Sequence, residues 1–191
     1  METADPEKLD GSIKPVLLYL TRTDPKVAKK VTTWEMAQLS KDEVVIGVKA
    51  FECYMVDADS LEKDDVILQK IGKHKAPGFY TFHGGHLMFK AEGMPKSGTI
   101  FTCLKKTVSK VYKASLDKVV KKVSGIEKDI EKIEARRALL QQKLARLEDG
   151  DKSRPKVLAE IDGLLEQESE LKKEIDGLLD LGKKEEQVSK S

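Results

Sequence analysis

Residues 116–147 read LDKVVKKVSGIEKDIEKIEARRALLQQKLARL, and residues 157–178 read VLAEIDGLLEQESELKKEIDGL. In both stretches the apolar residues recur at alternating spacings of three and four, which is typical of helices that bury a narrow stripe against a partner helix. The segment between the two stretches contains Gly150 and Pro155, which end a helix and permit the chain to reverse. The sequence therefore predicts an antiparallel coiled-coil hairpin over residues 116–181, with its turn at about 149–155.

One charged residue interrupts the apolar repeat in each stretch, Arg137 in the first and Glu168 in the second. Folding the second stretch onto the first pairs position 140 with position 164, and the same register sets Arg137 against Glu168. A single charge in an apolar seam is costly to bury, whereas two opposite charges that face each other satisfy one another only in one register. We therefore expect these two residues to set the register of an intramolecular hairpin.

Bulky residues and charged residues divide the chain at one point. All ten aromatic residues lie between Tyr19 and Tyr112, and both cysteines and all five methionines also precede residue 113. A globular core needs such residues, whereas a two-helix arm does not. We expect one helix to run unbroken from Ser97 through Leu147, so that the first hairpin helix continues the last helix of the globular part. The predicted divisions are a flexible leader at 1–13, a globular domain at 14–115, the hairpin at 116–181 and a disordered tail at 182–191.

Composition narrows the class of protein without selecting a partner. Charged residues make up 36% of the chain, but the net charge is only +2. No run approaches eighteen apolar residues, which argues against membrane insertion. Two cysteines do not form a disulfide framework in a domain of this size, so free thiols in a reducing compartment are expected. We predict a cytoplasmic protein.

Short patterned segments predict the order of elements in the globular domain. The short continuous apolar run within 14–21 is typical of a buried strand, and 50–57 is predicted to be the next strand. Between them Asp24-Pro25 begins a helix, because proline favours the first helical position. Further short helices are expected at 42–48 and 60–72, and a β-hairpin is expected at 79–90 around the Gly84-Gly85 turn. The resulting order is βαβ followed by ββα.

This order resembles that of the thioredoxin-fold proteins. The stretch Ala76-Pro77-Gly78-Phe79-Tyr80-Thr81-Phe82-His83-Gly84-Gly85 is similar to the segment in which that family has a cis-proline, then a strand, then a glycine turn. The strands at 17–20 and 53–57 fall where the family places its central parallel strands. The resemblance covers a little over half of the chain. It implies an α/β fold class: a thioredoxin-like domain with a central mixed sheet of about four strands, followed by the coiled-coil hairpin.

The chain departs from the family at the redox site. Redox-active members carry Cys-x-x-Cys after the first central strand, where the amino end of the next helix lowers the pKa of the first thiol. This chain has Thr23-Asp24-Pro25-Lys26 at that place, and no cysteine precedes Cys53. Hydroxyl and carboxylate groups cannot exchange disulfides. We therefore expect no dithiol oxidoreductase activity at this site, no catalytic residue and no cofactor.

The histidines do not predict a metal centre. His74, His83 and His86 lie around the predicted β-hairpin, but no third or fourth ligand of suitable type is evident nearby. We interpret them as exposed turn residues and predict no bound metal.

Three functions remain open from the sequence. The leading hypothesis is a non-catalytic adaptor, scaffold or assembly factor. Family members without the cysteine pair often use the cis-proline side of the domain for docking, which implies a protein-binding surface of Thr23, Asp24, Pro25, Lys26, Ala76 and Pro77. The coiled-coil arm would supply a second contact surface, and self-association through it is an alternative use.

The second hypothesis is a thiol-dependent oxidoreductase or redox sensor that uses Cys53 or Cys103, although we expect both side chains to be packed. The third is a nucleic-acid-associated protein that uses the lysine-rich segment 105–122. Nucleic acid is not the expected partner, because no aromatic platform or base-reading motif accompanies the lysines. This basic face comprises Lys105, Lys106, Lys110, Lys113, Lys118, Lys121 and Lys122.

Overall fold

The computed structural model describes residues 2–3, 14–62 and 64–181. These residues form two compact units. The described residues up to Val120, together with Leu181, belong to the first, and Lys121–Asp180 form the second. The predicted tail at 182–191 lies outside the described residues, as does most of the predicted leader.

A mixed β-sheet forms the centre of the first unit. Its strands are β1 (Glu2–Thr3), β2 (Val16–Thr21), β3 (Glu52–Asp57), β4 (Gly78–His83) and β5 (His86–Glu92). They lie in the order β1-β3-β2-β4-β5, with β2 parallel to β3 and antiparallel to β4. Glu2 and Thr3 of β1 pair in parallel with Tyr54 and Met55 of β3. The prediction of a flexible leader is therefore wrong for Glu2 and Thr3.

The helices of the first unit are α1 (Pro25–Gln38), α2 (Asp42–Val48), α3 (Val66–Ile71) and α4 (Ser97–Val111), with a 3₁₀ turn at Ala58–Ser60. The element order is the predicted βαβ followed by ββα, and the predicted thioredoxin-like α/β fold class is confirmed. α1 begins as expected, because the Asp24 carboxylate accepts a hydrogen bond from the Lys26 amide at 2.8 Å and Pro25 occupies the first turn.

Strand β2 is buried on both faces, which explains its uninterrupted apolar sequence. On one face Leu18 and Leu20 pack in a cluster that includes Ile67 and Ile71 of α3. On the other face Tyr19 is 2% exposed, and the centre of its ring lies 6.4 Å from the centre of the Trp34 ring of α1. A six-residue strand enclosed by helices on both sides anchors the sheet.

The prediction of one helix over residues 60–72 is wrong in its first half. The 3₁₀ turn ends at Ser60, and α3 begins only at Val66. The Asp65 side chain accepts a hydrogen bond from the Ile67 amide at 2.7 Å, which caps α3 at that point.

The prediction of an unbroken helix from Ser97 through Leu147 is also wrong. α4 ends at Val111, Tyr112 has extended backbone angles (φ −112°, ψ 159°), and a new helix, α5 (Leu116–Ala145), begins after a short connection. Tyr112 and Leu116 are both buried. Because they are four residues apart, their spacing is the same as on one face of a continuous helix, and the apolar pattern does not reveal the break.

The two long helices are α5, which begins in the first unit and continues into the second, and α6 (Arg154–Leu179). In the turn between them Gly150 has φ +102°, a conformation that favours glycine. Arg154 donates a hydrogen bond from Nη1 to the Leu147 carbonyl oxygen at 3.2 Å, joining the ends of the turn. The buried residues of α6 recur at spacings of four, three and four: Val157, Ile161, Leu164 and Glu168.

Arg137 of α5 donates a hydrogen bond to Glu168 of α6, so the structure brings the two seam charges together. The Glu168 side chain is 9% exposed, and its other carboxylate oxygen accepts a hydrogen bond from Lys172 Nζ at 2.5 Å. Lys172, one turn further along the same helix, was not predicted as a partner. The hydrogen bond from Lys172 lowers the pKa of Glu168, burial opposes this effect, and the charge of Arg137 adds to it. The net result is a pKa of Glu168 below its usual value.

We expect Arg137→Leu to lower the melting temperature by only a few degrees, because Lys172 continues to neutralise Glu168. Arg137→Leu with Glu168→Leu should melt at or above the wild-type temperature, because an apolar pair replaces the charges without a desolvation cost. The folded pKa of Glu168 is depressed. Its stabilising contribution is therefore present above the unfolded pKa and is lost as the pH falls toward the folded pKa. The double variant should lack this part of the acid sensitivity.

Circular-dichroism melts at pH 7 and between pH 5 and pH 3 measure these effects. The matched control is Arg136→Leu with Glu160→Leu, an exposed pair that also joins α5 to α6. A double seam variant that melts below Arg137→Leu would contradict the role given to the pair.

Candidate functional site

The ends of three strands meet at one edge of the sheet. Thr21, the last residue of β2, pairs with Asp57 at the end of β3, and Leu20 pairs with Gly78 at the start of β4. The residue before Gly78 is Pro77, and the Ala76–Pro77 peptide bond is cis. The loop that leaves β2 leads directly into α1. The strand pairing therefore brings the predicted segments 23–26 and 76–77 to the same edge.

Two carboxylates at the end of β3 bind the loop between β2 and α1. Asp59 Oδ2 accepts hydrogen bonds from the backbone amides of Thr23 at 3.1 Å and Asp24 at 2.9 Å. Its other oxygen forms an ion pair with the Arg22 guanidinium at 2.8 Å. Asp57 accepts hydrogen bonds from the Thr23 hydroxyl and, at 3.3 Å, from the Thr23 amide. We call Arg22, Thr23, Asp24, Asp57 and Asp59 the carboxylate clamp.

The clamp lowers the pKa of one of its carboxyl groups. The hydrogen bond from Arg22, followed by the one from the Asp24 amide, holds the pKa of Asp59 below its usual value. Asp57 and Asp59 were not predicted to be parts of this site. Their position gave a usable signal, because residues that follow neighbouring parallel strands come to the same edge of a sheet.

Exposure differs among the residues predicted to contact a partner. Thr23, Pro25 and Lys26 are exposed, and Asp24 is half-buried. Pro77 is buried, so the prediction that its side chain lies on the surface is wrong. Its carbonyl oxygen accepts a hydrogen bond from the Gly93 amide at 2.9 Å, which fastens it to the chain that follows β5. Ala76 is half-buried, so the exposed part of the predicted surface is Thr23 with Pro25 and Lys26 of the first turn of α1, within the segment that we call the loop Thr23–Lys26.

A second carboxylate holds the segment that precedes Pro77. Glu92 accepts hydrogen bonds from the Tyr80 hydroxyl at 2.8 Å and from the Lys75 amide at 3.1 Å, and it pairs with Lys90 at 3.2 Å. Burial, together with the neighbouring Glu92 carboxylate, raises the pKa of Tyr80 above its usual value. A phenol with a raised pKa stays protonated at neutral pH, so Tyr80 serves here as a hydrogen-bond donor.

A similar arrangement fixes α1 on the other face of β2. Tyr19 stacks on Phe79 with a centroid distance of 4.7 Å and donates a hydrogen bond to Glu35 at 2.5 Å. Trp34 Nε1 donates to the Pro95 carbonyl oxygen at 2.9 Å. Burial, reinforced by Glu35, raises the pKa of Tyr19. These contacts hold the helix that begins at the clamp.

Both cysteines are free thiols with suppressed ionisation. Cys103 of α4 is 4% exposed, and burial raises its pKa to about 11. Cys53 of β3 is half-buried rather than fully packed, because β3 turns Tyr54 and Val56 into the core instead. Burial nevertheless raises the pKa of Cys53 to about 11, and its Sγ donates a hydrogen bond to the Val48 carbonyl oxygen at 3.4 Å.

The lysines of the predicted basic face are spread over three elements. Lys105, Lys106 and Lys110 lie on α4, Lys113 lies in the connection, and Lys118, Lys121 and Lys122 lie on α5. Lys105 pairs with Asp117 at 3.4 Å, and Lys106 Nζ lies 5.8 Å from the centre of the Phe89 ring. The face is therefore not a single helical stripe.

The described residues offer neither a metal site nor a membrane-spanning helix. They contain no group of three or more histidine, cysteine, aspartate or glutamate residues placed to hold a metal ion. Within the same residues, no helix combines the length and the apolar character needed to cross a membrane.

Comparison with known proteins identifies no family. No protein-family model matches the chain, and no curated protein matches it. Among solved structures, the crystal structure of Trxlp from Edwardsiella tarda EIB202 is similar to this chain, with a TM-score of 0.39 and 13% sequence identity. The match covers 54% of this chain and 95% of that one. The fold assignment rests on the strand order and pairing described above.

We expect Asp59→Ala to loosen the loop that leads into α1, because the Asp24 amide loses its acceptor, the Thr23 amide loses the nearer of its two acceptors and Arg22 loses its nearer ion-pair partner. Amide hydrogen exchange at these two positions should accelerate by about tenfold, while exchange in β2 stays unchanged. Glu166→Gln, which alters an exposed carboxylate on α6, is the control and should leave the loop unchanged. Unaltered exchange at Thr23 and Asp24 in Asp59→Ala would show that the clamp does not hold the loop.

We expect both thiols to react slowly in the folded protein. With pKa values of about 11, only about 0.1% of each thiol is ionised at pH 8, compared with roughly a quarter for an unperturbed cysteine. Alkylation by iodoacetamide at pH 8 should therefore be at least about 100-fold slower than in the same protein unfolded in guanidinium. Mass spectrometry of the labelled peptides assigns each rate, and rapid labelling of either folded-state thiol would contradict this expectation.

Proposed function

We propose that this protein is a non-catalytic thioredoxin-fold adaptor or scaffold that binds protein partners through the loop Thr23–Lys26 and the helical hairpin. The observation that carries the proposal is the carboxylate clamp. At the position where redox-active members of the resembled family present a nucleophilic thiol, this chain presents a loop tied down by Asp57 and Asp59. Such a loop offers a fixed shape rather than a reactive group.

A fixed loop is suited to recognition. Thr23, Pro25 and Lys26 are exposed on a backbone whose hydrogen bonds are already made within the protein. Less conformational entropy is lost when a partner binds a preorganised surface than when it orders a flexible one. Lys26 adds a cation to the exposed part of this surface, which favours partners that present acceptor groups.

The hairpin supplies the second proposed contact surface. Its seam residues Ile161 and Leu164 are buried, and we interpret their packing as a coiled coil. Outside the seam, Leu139 is 66% exposed and Leu165 is 45% exposed. Exposed leucines on a long, otherwise highly charged arm are candidate contact residues for another helix, from a partner or from a second copy of this chain.

The competing functions have weaker support. A thiol enzyme needs a cysteine with a lowered pKa, whereas burial raises the pKa values of Cys53 and Cys103 to about 11. A nucleic-acid-binding role would rest on lysines that occupy separate elements. A cytoplasmic location, with no insertion into a membrane, belongs to the same proposal.

Affinity capture from an extract of the native cells, quantified by mass spectrometry, tests the adaptor role. Wild-type chain is compared with Lys26→Glu, with Leu139→Glu plus Leu165→Glu, and with the control Lys41→Glu, which changes an exposed lysine outside the loop. We expect specific partners to fall at least about fivefold with one of the first two variants and to remain with the control, because a buried charge mismatch weakens an interface strongly. Partners indifferent to both variants would contradict the proposal.

A further inference from the structure

A pocket of about 330 Å³ lies where α4 ends and α5 begins. It exists because the chain leaves helical geometry at Tyr112 and resumes a helix only at Leu116. All of its lining residues belong to the first unit. The pocket is separate from the loop at the end of β2, so nothing about it depends on the adaptor role proposed above.

The pocket has an apolar base. Tyr112 is 6% exposed and Leu116 is 1% exposed, and both line the pocket together with the half-buried Ala114. An aromatic ring and an aliphatic side chain in the lining favour a ligand that has an apolar body of its own. A bare inorganic ion would gain nothing from this part of the pocket.

The rest of the lining is polar and carries an excess of positive charge. Lys105, Lys106 and Lys113 contribute three cations and Asp117 one anion, which leaves a net charge of +2. Asp117 is engaged by Lys105 at 3.4 Å, and the ammonium group of Lys106 lies 5.8 Å from the centre of the Phe89 ring. Ser109 and Ser115, both exposed, also line the pocket, and the Ser109 hydroxyl donates a hydrogen bond to the Lys106 carbonyl oxygen at 2.8 Å.

We infer that this pocket binds a small organic phosphate, with the apolar body against Tyr112 and Leu116 and the phosphate among the three lysines. A phosphate monoester carries a charge of about −1.5 to −2 at pH 7, which matches the excess charge of the lining. The volume falls at the lower end of the range for small-molecule sites, roughly 300–1,000 Å³. A compact ligand is therefore favoured over a macromolecule.

Isothermal titration calorimetry of the full chain with three probes tests the inference. Phenyl phosphate carries both an apolar ring and a phosphate, inorganic phosphate lacks the ring, and benzyl alcohol lacks the charge. We expect phenyl phosphate to bind at least about tenfold more tightly than either of the other two probes, because only phenyl phosphate can contact both the apolar base of the pocket and the lysines. Its binding should weaken with added salt.

Lys106→Gln and Lys113→Gln should each weaken phenyl phosphate binding by about tenfold, since each removes a charge-assisted contact. Lys41→Gln, which removes an exposed lysine that does not line the pocket, should leave binding unchanged. Circular dichroism confirms that each variant is folded. Ala114→Trp provides an independent variant, because its larger side chain fills the pocket without removing a charge and should abolish binding.

Several results would overturn the inference. Absence of phenyl phosphate binding at millimolar concentration would do so, as would equal affinity in the wild-type chain and both lysine variants. Inorganic phosphate binding as tightly as phenyl phosphate would show that the apolar base plays no part. A single-stranded oligonucleotide that binds more tightly than phenyl phosphate, and that depends equally on Lys118, would assign the lysines to a nucleic-acid surface instead.

Discussion

The burial of β2 on both faces is the constraint on which the first unit depends. All six residues of Val16–Thr21 are 7% exposed or less. A shift of one residue in pairing would exchange the two faces, so Leu18 and Leu20 would leave the cluster that holds α3, and Tyr19 would leave α1. The position of β2 thus determines which residues of β3 and β4 lie beside its end. It thereby also determines where the carboxylate clamp forms.

Both the clamp and the raised pKa values of the thiols differ from what a redox site of the thioredoxin type requires. A redox site of the thioredoxin type needs an ionisable sulfur at the amino end of a helix. Here the corresponding loop is bound by Asp57 and Asp59, and the two cysteines lie elsewhere with suppressed ionisation. The end of β2 thus leads into a loop whose backbone is held by hydrogen bonds, and neither thiol lies there.

Local and periodic signals in the sequence predicted much of the architecture. The continuous apolar run of β2, the Asp24-Pro25 helix start and the heptad spacing each depend on a few neighbouring residues, and the structure has a strand, a helix and two long helices at these places. The break at 112–116 was missed because buried residues four apart suit both one helix and two. Cys53 was expected to be packed but is half-buried, because Cys53 and Tyr54 are both compatible with burial and Tyr54 is the one that packs with Ile67 and Ile71 of α3.

The candidate site was predictable only in part for a related reason. The loop Thr23–Lys26 was found through resemblance to a family motif. Its partners Asp57 and Asp59 lie more than 30 residues away, and only strand pairing brings them to the loop. Likewise, the contact between Arg137 and Glu168 could be predicted from the register of the two helices. The hydrogen bond from Lys172 to Glu168 could not, because it depends on side-chain conformation.

The clamp also sets the electrostatic character of the amino end of α1. A helix start is ordinarily an attractive place for an anion, because its free amides and dipole carry partial positive charge. In this protein Asp24 and Asp59 already stand there as built-in counter-ions, accepting hydrogen bonds from the Lys26 amide and from the amides of Thr23 and Asp24. The edge of the sheet that in another protein would attract a phosphate or a carboxylate is thereby neutralised from within. Carboxylate oxygens flanked by Arg22 and Lys26 therefore occupy this edge.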